Sequence, residues 1–500
     1  MVDTKEHKLK KKQKINLVVK ETEDKVRPLS LNTIIYTLYF NLYTNLYTGK
    51  KSLYYIQQTM FPKNTRLLEE AHSAWKHHAF LREKRRRLMQ HTYGDQWSDL
   101  TQTADGHTVT EYEKATMSGM RPLTNNLLRA LVKSVVGRFR YNVSQTDDSP
   151  SEALSAIRET NLMTELDSRA LEEFLISGTV VQHVAYENRP PVGAGVWVDN
   201  VRLGSFFCTP FRDPRASDVR LVGMCHDMTL DELKLRFSHG SKRRSRHLEK
   251  VYRHVEASGP FLSLSSPFGR ETAEPSFYSP AAPGFCRVVE VWTYDMTFSD
   301  PKVKPHWHCR FITPDGSVIE QTESPLANGA HPFIIKFYPL TDGEVHPFIE
   351  DLVGQQKHIN TLITTIDHIL ANSAKGVLLM PTDAIPAGLD MEMVADIWSR
   401  PGGVIPINPT ARERPTEITT AGRSEGAAKL LEIEMQLFQQ ISGVTAALQG
   451  QAPGSNVSAS LYESQVYNSA IALLDVYESF NSFRTMRDRL AVAALEKPAV

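Results

Sequence analysis

Two stretches in the C-terminal half of the chain alternate apolar and polar positions with the period of an α-helix. Residues 349–374 carry one apolar face, formed by Leu352, Ile359, Ile363, Ile366 and Leu370. Residues 424–448 carry a second, formed by Leu430, Ile433, Leu437, Ile441, Val444 and Leu448. These spacings predict two long amphipathic helices. Within one chain each face can cover only part of the other, so we expect the first face to pack against a neighbouring copy as well.

A small inserted unit is predicted between these helices. Residues 375–419 have the pattern of a strand, a helix and a second strand, in the segments GVLLM, DMEMVADIW and GVIPI. The turn formers Pro381, Pro386 and Gly402 separate them. We expect Trp398 to pack inside this unit or at an interface between copies.

A neutral loop follows the second helix. The segment LQGQAPGSNVSAS, residues 448–460, has no charged side chain from Gln449 to Ser460 and includes Gly450, Pro453 and Gly454. These residues predict a break in the helical pattern. Apolar periodicity then resumes in a third helix at about residues 460–490.

The N-terminal half combines helical patterns with strands. Helices are predicted at about residues 31–90, 125–140 and 151–177, and residues 100–120 have the composition of a polar linker. Segments rich in β-branched and aromatic residues predict strands at 179–187, 195–201, 219–228, 286–294, 306–313 and 331–340, with a short helix at 228–237. Runs of strands and runs of helices in separate parts of the chain predict an α+β fold.

Charge and cysteine content change this picture little. The chain has 500 residues with 57 basic and 57 acidic side chains, so its net charge favours neither a nucleic-acid nor a membrane partner. Lysines concentrate in residues 5–14, which predicts a solvated basic arm. The cysteines form no CxxC motif, which indicates a reducing compartment and no zinc site. Residues 31–49 are too polar and too short to span a membrane, and their tyrosines follow one helical face: Tyr36, Tyr39, Tyr43 and Tyr47.

Catalytic motifs are missing from the sequence. It contains no P-loop, HExxH or GxSxG pattern. His306 and His308 would share one face of a strand, but two ligands without a third nearby do not predict a metal site. Asp213 and Asp218 could serve a metal-dependent nucleic-acid enzyme, which is one alternative, although Asp-Pro is also a common turn opener. The pattern therefore predicts neither an enzyme nor a bound metal or cofactor.

Seven segments carry a family resemblance when they are taken in order. They are YGDQW (93–97), RPLTNNLLRALVKSVVG (121–137), LISGTVVQHVAYE (175–187), FRDPRASDVRLVG (211–223), EDLVGQQKHINTL (350–362), GVLLMPTDAIPAGLDMEMVADIWSRPGGVIPINP (376–409) and QQISGVTAALQGQAPGSNVSASLYESQ (439–465). Together they resemble the portal proteins of tailed bacteriophages, especially the long podovirus and crAss-like types. The resemblance covers about residues 90–490.

The resemblance implies an elongated, multidomain α+β fold. Its parts would be a basic arm with a tyrosine-rich helical region (1–90), a wing (91–345), a first stem helix (346–374), a clip (375–419), a second stem helix (420–448), a tunnel loop (449–459) and a kinked wing helix leading toward a crown (460–500). Copies would pack through the stem at Leu352, Ile359, Ile363, Ile366 and Leu370. The clip would include Trp398 and Arg400. The tunnel loop would face DNA through Gln449, Gly450, Gln451, Ser455, Asn456 and Ser458.

The resemblance also implies a structural role in the virion. Twelve copies would form a ring at one capsid vertex, assembled in the host cytoplasm and in contact with the major capsid protein. Double-stranded DNA would pass through the ring during packaging and ejection. The terminase large subunit and later a neck or tail adaptor would dock on the clip, with no membrane and no cofactor involved. An uncharged loop suits a DNA channel, because a basic constriction would hold phosphates tightly. Another ring-forming head–tail connector is the second alternative.

Overall fold

The computed structural model describes residues 62–145, 151–189, 192–253, 276–280, 282–295, 306–326, 329–373, 377–400, 402–418, 423–444 and 459–496. The chain divides into two compact units, Met1–Asn64 and Thr65–Val500, and every element below belongs to the second. The basic arm at residues 5–14 and the tyrosine face at residues 31–49 lie outside the described residues. None of the described helices is long and apolar enough to cross a bilayer.

The second unit begins with helices and a small hairpin. These elements are α1 (Thr65–His77), α2 (Ala79–Thr92), β1 (Leu100–Gln102), β2 (Thr108–Thr110), α3 (Glu111–Met117), α4 (Leu127–Gln145), α5 (Glu152–Thr160) and α6 (Met163–Ser177). A capping box starts α3, because Thr110 accepts a hydrogen bond from the Glu113 backbone and Glu113 accepts one from the Thr110 backbone. The prediction of a polar linker at residues 100–120 is therefore wrong, because these polar residues form the β1–β2 hairpin and helix α3.

Two antiparallel sheets follow, and helices pack around them. One has the strand order β10-β3-β4, and the other has the order β5-β6-β7-β8-β9. The elements are β3 (Thr179–Arg189), β4 (Gly193–Asn200), β5 (Phe206–Cys208), β6 (Leu221–Met228), α7 (Leu230–Phe237), α8 (Lys242–Val251), β7 (Cys286–Asp295), β8 (His306–Ile312), β9 (Val318–Glu323) and β10 (Phe333–Phe337). The predicted strands are confirmed within a few residues, whereas β5 and β9 were not predicted. This mixture of helices and antiparallel sheets agrees with the α+β class.

Helix α1 packs on the five-stranded sheet. Its buried residues Leu67, Leu68 and Ala71 share a core with Val289 and Val291 of β7. Helix α2 then runs directly through residue 90. The compact unit begins at Thr65, and the predicted boundary between an N-terminal region and a wing at residues 90–91 stays a prediction.

The C-terminal elements complete a second, largely helical core. They are the short strands β11 (Leu340–Thr341) and β12 (Glu344–Val345), a 3-10 turn (Glu350–Leu352), α9 (Val353–Ser373), β13 (Val377–Leu379), a second 3-10 turn (Thr382–Ala384), α10 (Met391–Ser399), β14 (Thr416–Ile418), α11 (Arg423–Ser442), α12 (Ala459–Ala472) and α13 (Leu474–Glu496). Leu131 of α4, Phe174 of α6 and Phe480 of α13 are buried together in this core. The third helix predicted at 460–490 is thus two helices, which are divided at Leu473.

One buried histidine makes the fold sensitive to acid. His78 is 3% exposed, and its Nε2 lies 3.1 Å from the carbonyl oxygen of Cys208. Burial, together with repulsion from His77, lowers the pKa of His78 from 6.5 to about 4. The neutral form is therefore the native one, and protons bind the unfolded chain first as the pH falls below 6.5.

We expect His78 to destabilise the fold by about 2 kcal/mol between pH 7 and pH 5, because a pKa lowered on folding favours the unfolded chain below pH 6.5. The His78→Gln variant should lose this part of the pH dependence and retain a side-chain donor to Cys208. Urea unfolding midpoints of both proteins at the two pH values measure the difference. Equal pH dependence in the two proteins would contradict the assignment.

Candidate functional site

Helices α9 and α11 form an antiparallel pair, here called the helix hairpin. Strand β13 directly follows α9, strand β14 directly precedes α11, and the two strands pair with each other. This pairing brings the end of α9 close to the start of α11. Farther along, the Nδ1 atom of His358 lies 3.1 Å from the Oε1 atom of Glu434. The residues that the sequence places on two separate apolar faces are therefore carried by neighbouring helices.

The apolar face of α9 lies largely inside the chain's own core. Leu352 and Ile359 are fully buried there, and Ile363 packs against the same core. From α11, Phe438 is buried in the same core and Leu431 packs against it. The predicted contact of Leu352 and Ile359 with a neighbouring copy is therefore wrong, because intrachain packing already covers both side chains.

Two further members of that face are less covered. Ile366 is half-buried, and Leu370 is 53% exposed. A contact between these two side chains and a neighbouring copy stays a prediction.

Helix α11 presents an uncovered apolar surface. Its residues Leu430, Ile433, Leu437 and Ile441, here called the α11 stripe, are each 38–46% exposed. Their spacing places them on one face of the helix, about a quarter turn from Leu431 and Phe438. Helix α11 therefore uses one face for the hairpin and leaves the neighbouring apolar face open. A continuous exposed apolar surface of this kind is typical of an interaction site.

Helix α11 ends earlier than predicted. It stops at Ser442, because Gly443 adopts a left-handed φ of +65°. A Cβ at Gly443 would lie 2.8 Å from the Cβ of Ala472, so the backbone also makes a close approach there. Val444 is fully buried beyond the helix end and is not part of the α11 stripe. Leu448 lies outside the described residues.

A buried polar network fixes α9 to the start of α4. Gln356, Asn360 and Thr364 follow one face of α9 and are each at most 2% exposed. Gln356 Oε1 accepts hydrogen bonds from the backbone N–H groups of Leu127 (2.9 Å) and Leu128 (3.2 Å). These are N–H groups at the beginning of α4 that have no carbonyl partner within their own helix. A side chain from a distant helix therefore caps α4.

The same network continues along the segment that leads into α4. Asn360 Oδ1 accepts from the Asn125 backbone at 3.0 Å, and Thr364 Oγ1 accepts from the Leu123 backbone at 3.0 Å. Gln356 Nε2 donates to the Asn125 carbonyl at 2.6 Å. The backbone before α4 is thus held by side chains at every fourth residue of α9.

Ion pairs also connect the N-terminal half of α9 to the segment between α2 and α3. Lys357 Nζ lies 2.9 Å from Asp99 Oδ2 and 2.6 Å from Glu111 Oε1. Arg87 Nη2 lies 2.8 Å from Asp99 Oδ2. Partial burial raises the pKa of Asp99, but its bonds to Arg87 and Lys357 outweigh this and hold that pKa well below its usual range. The base of the helix hairpin is therefore anchored by both neutral and charged contacts.

The inserted unit at residues 375–419 differs in one strand from the prediction. The partner of β13 is β14 at Thr416–Ile418, and the pair is antiparallel. The predicted second strand GVIPI, residues 403–407, is wrong: in the described residues 402–410 the backbone forms no strand. Gly403 lies against the end of α10, where a Cβ would be 2.2 Å from the Ile397 carbonyl oxygen. Pro406 also lacks the N–H that a strand ladder requires.

The inserted unit buries little apolar surface of its own. Val394 and Ala384 are fully buried, and Trp398 is half-buried. Arg400 forms an ion pair with Asp396 on the exposed side of α10. Apolar side chains also remain exposed on this unit: Met391, Met393, Val404 and Ile407.

The predicted neutral loop falls outside the described part of the chain. Residues 445–458 are not described, and these include its predicted DNA-facing members Gln449, Gly450, Gln451, Ser455, Asn456 and Ser458. The described elements on its two sides are the end of α11 and the start of α12 at Ala459.

Asp213 and Asp218 close a turn. Asp218 Oδ2 accepts from the Arg212 backbone at 2.8 Å. Asp213 Oδ1 accepts from the Arg215 backbone and from Arg215 Nε, both at 3.0 Å, and the Ser217 hydroxyl also donates to its carboxylate. The side-chain bond to Arg215 holds the pKa of Asp213 well below its usual range. Among the described residues, the two carboxylates do not belong to any cluster with metal-ligand geometry.

The polar network of α9 was missed by sequence reasoning. Its signal is a row of uncharged polar residues at positions i, i+4 and i+8 of an otherwise apolar helix: Gln356, Asn360 and Thr364. In an amphipathic helix such polar residues are expected on the solvent-exposed face. Their hydrogen-bonding capacity and their strict spacing are the features that could have indicated a buried role.

A comparison with known protein families identifies a relationship that covers most of the chain. The family model described as "Phage P22-like portal protein" matches residues 68–497. This span begins within α1 and runs just past the end of α13, so it includes both sheets, the helix hairpin and the inserted unit. No curated protein matches the chain.

Proposed function

The chain belongs to the phage P22-like portal protein family, and from this premise we propose that its copies assemble into a ring at one vertex of a tailed-phage capsid. The ring would contact the major capsid protein and serve as the conduit for double-stranded DNA. Its role in the virion would be structural. We expect twelve copies.

The observation that carries this proposal is the α11 stripe. Four aliphatic side chains on one helical face stay 38–46% exposed when the chain is taken alone. Burial of the four side chains against a neighbouring copy would stabilise each interface by about 3 kcal/mol, because complete burial of one such side chain contributes about 2 kcal/mol and a little less than half of each is still exposed. A ring repeats this contact at every interface, so assembly would further stabilise a hairpin that is already folded in the single chain.

The parts of the chain would then have separate roles. We assign the sheets and the surrounding helices, residues 65–345, to the wing, the helix hairpin to the stem, and residues 375–419 to the clip. The exposed apolar side chains of the clip support a docking surface for the terminase large subunit and later for a neck or tail adaptor. Trp398 and Arg400 belong to this unit.

Residues 449–458 would form a tunnel loop that faces DNA. Their composition supports this, because polar amide and hydroxyl groups can exchange hydrogen bonds with moving DNA and carry no charge. A basic residue at the same place would neutralise phosphates in every copy and would slow the passage of DNA.

The Gln451→Lys substitution tests the tunnel loop. We expect rings to form normally but to hold DNA more tightly, with a steeper loss of affinity as salt rises, because each new phosphate contact releases counterions. DNA retention by purified rings across a salt series measures this effect. The Gln451→Ala variant is the control and should retain the weak salt dependence. If rings of the Gln451→Lys variant show the same salt dependence as the wild type, residue 451 does not face DNA.

We further propose that the chain has no ATPase or nuclease activity. The absence of a P-loop from the sequence and the turn-closing contacts of Asp213 and Asp218 support this. Turnover by purified protein with Mg²⁺ should equal background in both the wild type and the Asp213→Ala variant. Activity that disappears with that substitution would instead favour the nucleic-acid enzyme.

Electron micrographs of the purified protein test the proposed function as a whole. Averaged particles should show a ring with rotational symmetry and a central channel. A ring without a channel would favour a different head–tail connector, and monomers at all concentrations would contradict assembly.

A further inference from the structure

Strands β8 and β9 bring together three side chains with metal-binding chemistry. His308 pairs directly with Glu323 in the register of the two strands. His306 lies two residues from His308 and therefore on the same face of β8. The sequence shows only the two histidines as neighbours, and the fold adds the carboxylate that a third ligand requires.

The distances among these side chains suit a shared ion. One ligand atom from each of His306, His308 and Glu323 can be chosen so that all lie within 4.8 Å of one another. His306 Nε2 is 3.8 Å from Glu323 Oε1, and the two imidazole centroids are 4.3 Å apart. A tetrahedral zinc ion with ligands at about 2.0–2.2 Å would hold them about 3.4 Å apart. Small side-chain rotations therefore suffice, and the Glu323 side chain is 75% exposed, which leaves it room to turn.

We propose that His306, His308 and Glu323 form a binding site for a divalent transition-metal ion of the Zn²⁺ type. Two imidazoles and one carboxylate are a common protein ligand set for Zn²⁺, whereas Mg²⁺ and Ca²⁺ prefer oxygen ligands. Three protein ligands leave a fourth position for water.

The backbone around the site is held in place. Strand β8 lies between β7 and β9, and the Trp307 carbonyl accepts from the Ser324 backbone at 3.0 Å. The Trp307 N–H donates to the Gly329 carbonyl at 3.3 Å, and a Cβ at Gly329 would lie 3.7 Å from the Cβ of His306, so Gly329 lies beside β8 at this position. Because these contacts fix the backbone of two ligands, little ordering would be needed when an ion binds.

The position of the site suggests what the ion would do. Strand β9 is the edge of the five-stranded sheet and pairs only with β8 within that sheet. An ion shared by His306, His308 and Glu323 would cross-link β9 to β8. It would stabilise the edge strand by binding the folded sheet and not the unfolded chain.

Neighbouring charge does not obstruct this assignment. Arg310 is the next residue on the same face of β8, and its guanidinium donates to Thr293 Oγ1 at 2.9 Å and to Gln321 Oε1 at 3.2 Å. Gln321 pairs with Arg310, one position along from the His308–Glu323 pair, whereas Thr293 pairs with His308 on the other side of β8. The guanidinium therefore hydrogen-bonds to two neutral side chains and not to a proposed ligand.

Zinc titration of the full-length protein tests the proposal. Protein stripped with EDTA should bind one Zn²⁺ per chain in calorimetry, and Co²⁺ should give the visible absorption of a low-symmetry site. The double variant His306→Asn/His308→Asn should lose affinity by at least about 100-fold, because even outer-shell partners of a metal site contribute 10–100-fold. Zn²⁺ should raise the thermal unfolding midpoint of the wild type and not of the double variant.

His239→Asn is the matched control. His239 Nε2 lies 3.6 Å from Glu320 Oε1, so it offers one imidazole and one carboxylate without a second imidazole. Its loss should leave zinc binding unchanged. Wild-type protein that fails to bind Zn²⁺ at micromolar concentration, or a double variant that binds as the wild type does, would overturn the proposal. If the double variant folds poorly, the exposed Glu323→Gln variant decides, and its zinc affinity must then fall.

Discussion

The Ile433→Asp variant should remain folded and fail to form rings. Ile433 is 45% exposed in the chain and lies in the centre of the α11 stripe. In the single chain a carboxylate there would still reach water, so we expect little loss of stability. In an assembled ring it would be a buried, unpaired charge at every interface, which costs several kcal/mol per copy. Sedimentation velocity should therefore show a monomer in place of the ring.

Two companion variants make this test specific. Gln436→Asp introduces the same charge at an exposed position of α11 outside the stripe, and we expect it to leave the ring intact. Ile359→Asp introduces the charge into the chain's own core, where Ile359 is fully buried, and should unfold the helical part. Rings formed by the Ile433→Asp variant, or lost equally in the Gln436→Asp variant, would show that the stripe is not the interface.

Replacing Gln356 with leucine should destabilise the chain by about 3–5 kcal/mol. The amide of Gln356 accepts from the Leu127 and Leu128 backbones and donates to the Asn125 carbonyl. A leucine of similar size would leave the buried Leu128 N–H without its acceptor, which costs about 1–3 kcal/mol. It would also remove the half-buried bonds to the Leu127 N–H and the Asn125 carbonyl, which keep a hydrogen bond to each other and lose less. Urea unfolding measures the total, and hydrogen exchange of the Leu127 and Leu128 amides should accelerate first.

Gln355→Leu is the control for this prediction. Gln355 is the neighbouring residue on α9 and is partly exposed, so the same substitution there should change stability by less than about 1 kcal/mol. Comparable losses in both variants would mean that the polar network does not carry the stability of this region.

The sequence predicts the two helices of the hairpin well, but it does not predict which apolar face of α11 is buried within the chain. The spacing of Leu430, Ile433, Leu437 and Ile441 correctly places them on one side of α11. Periodicity alone does not show that Leu431 and Phe438, a quarter turn away, would take the intrachain contact. Which apolar face is covered depends on α9 and the core beneath it, and these are contacts between residues far apart in the chain.

Backbone geometry explains the other differences. The apolar segment GVIPI resembles a strand, but Gly403 folds against α10 and Pro406 lacks a donor, so the polar stretch at Thr416–Ile418 pairs with β13 instead. Likewise, the helical pattern continues beyond Ser442, but Gly443 adopts a left-handed conformation. The ligand Glu323 was missed for a different reason, because β9 has too little apolar alternation to be recognised.

The pairing of β13 with β14 has a consequence for how such chains can diversify. Val377 pairs with Ile418, so the chain enters and leaves the inserted unit through adjacent residues. The stretch between them can change in length or sequence at a modest entropic cost without shifting α9 or α11. The unit can therefore be replaced by a different sequence in a related chain while the two helices of the hairpin keep their places, which would allow its surface to evolve independently of the rest of the fold.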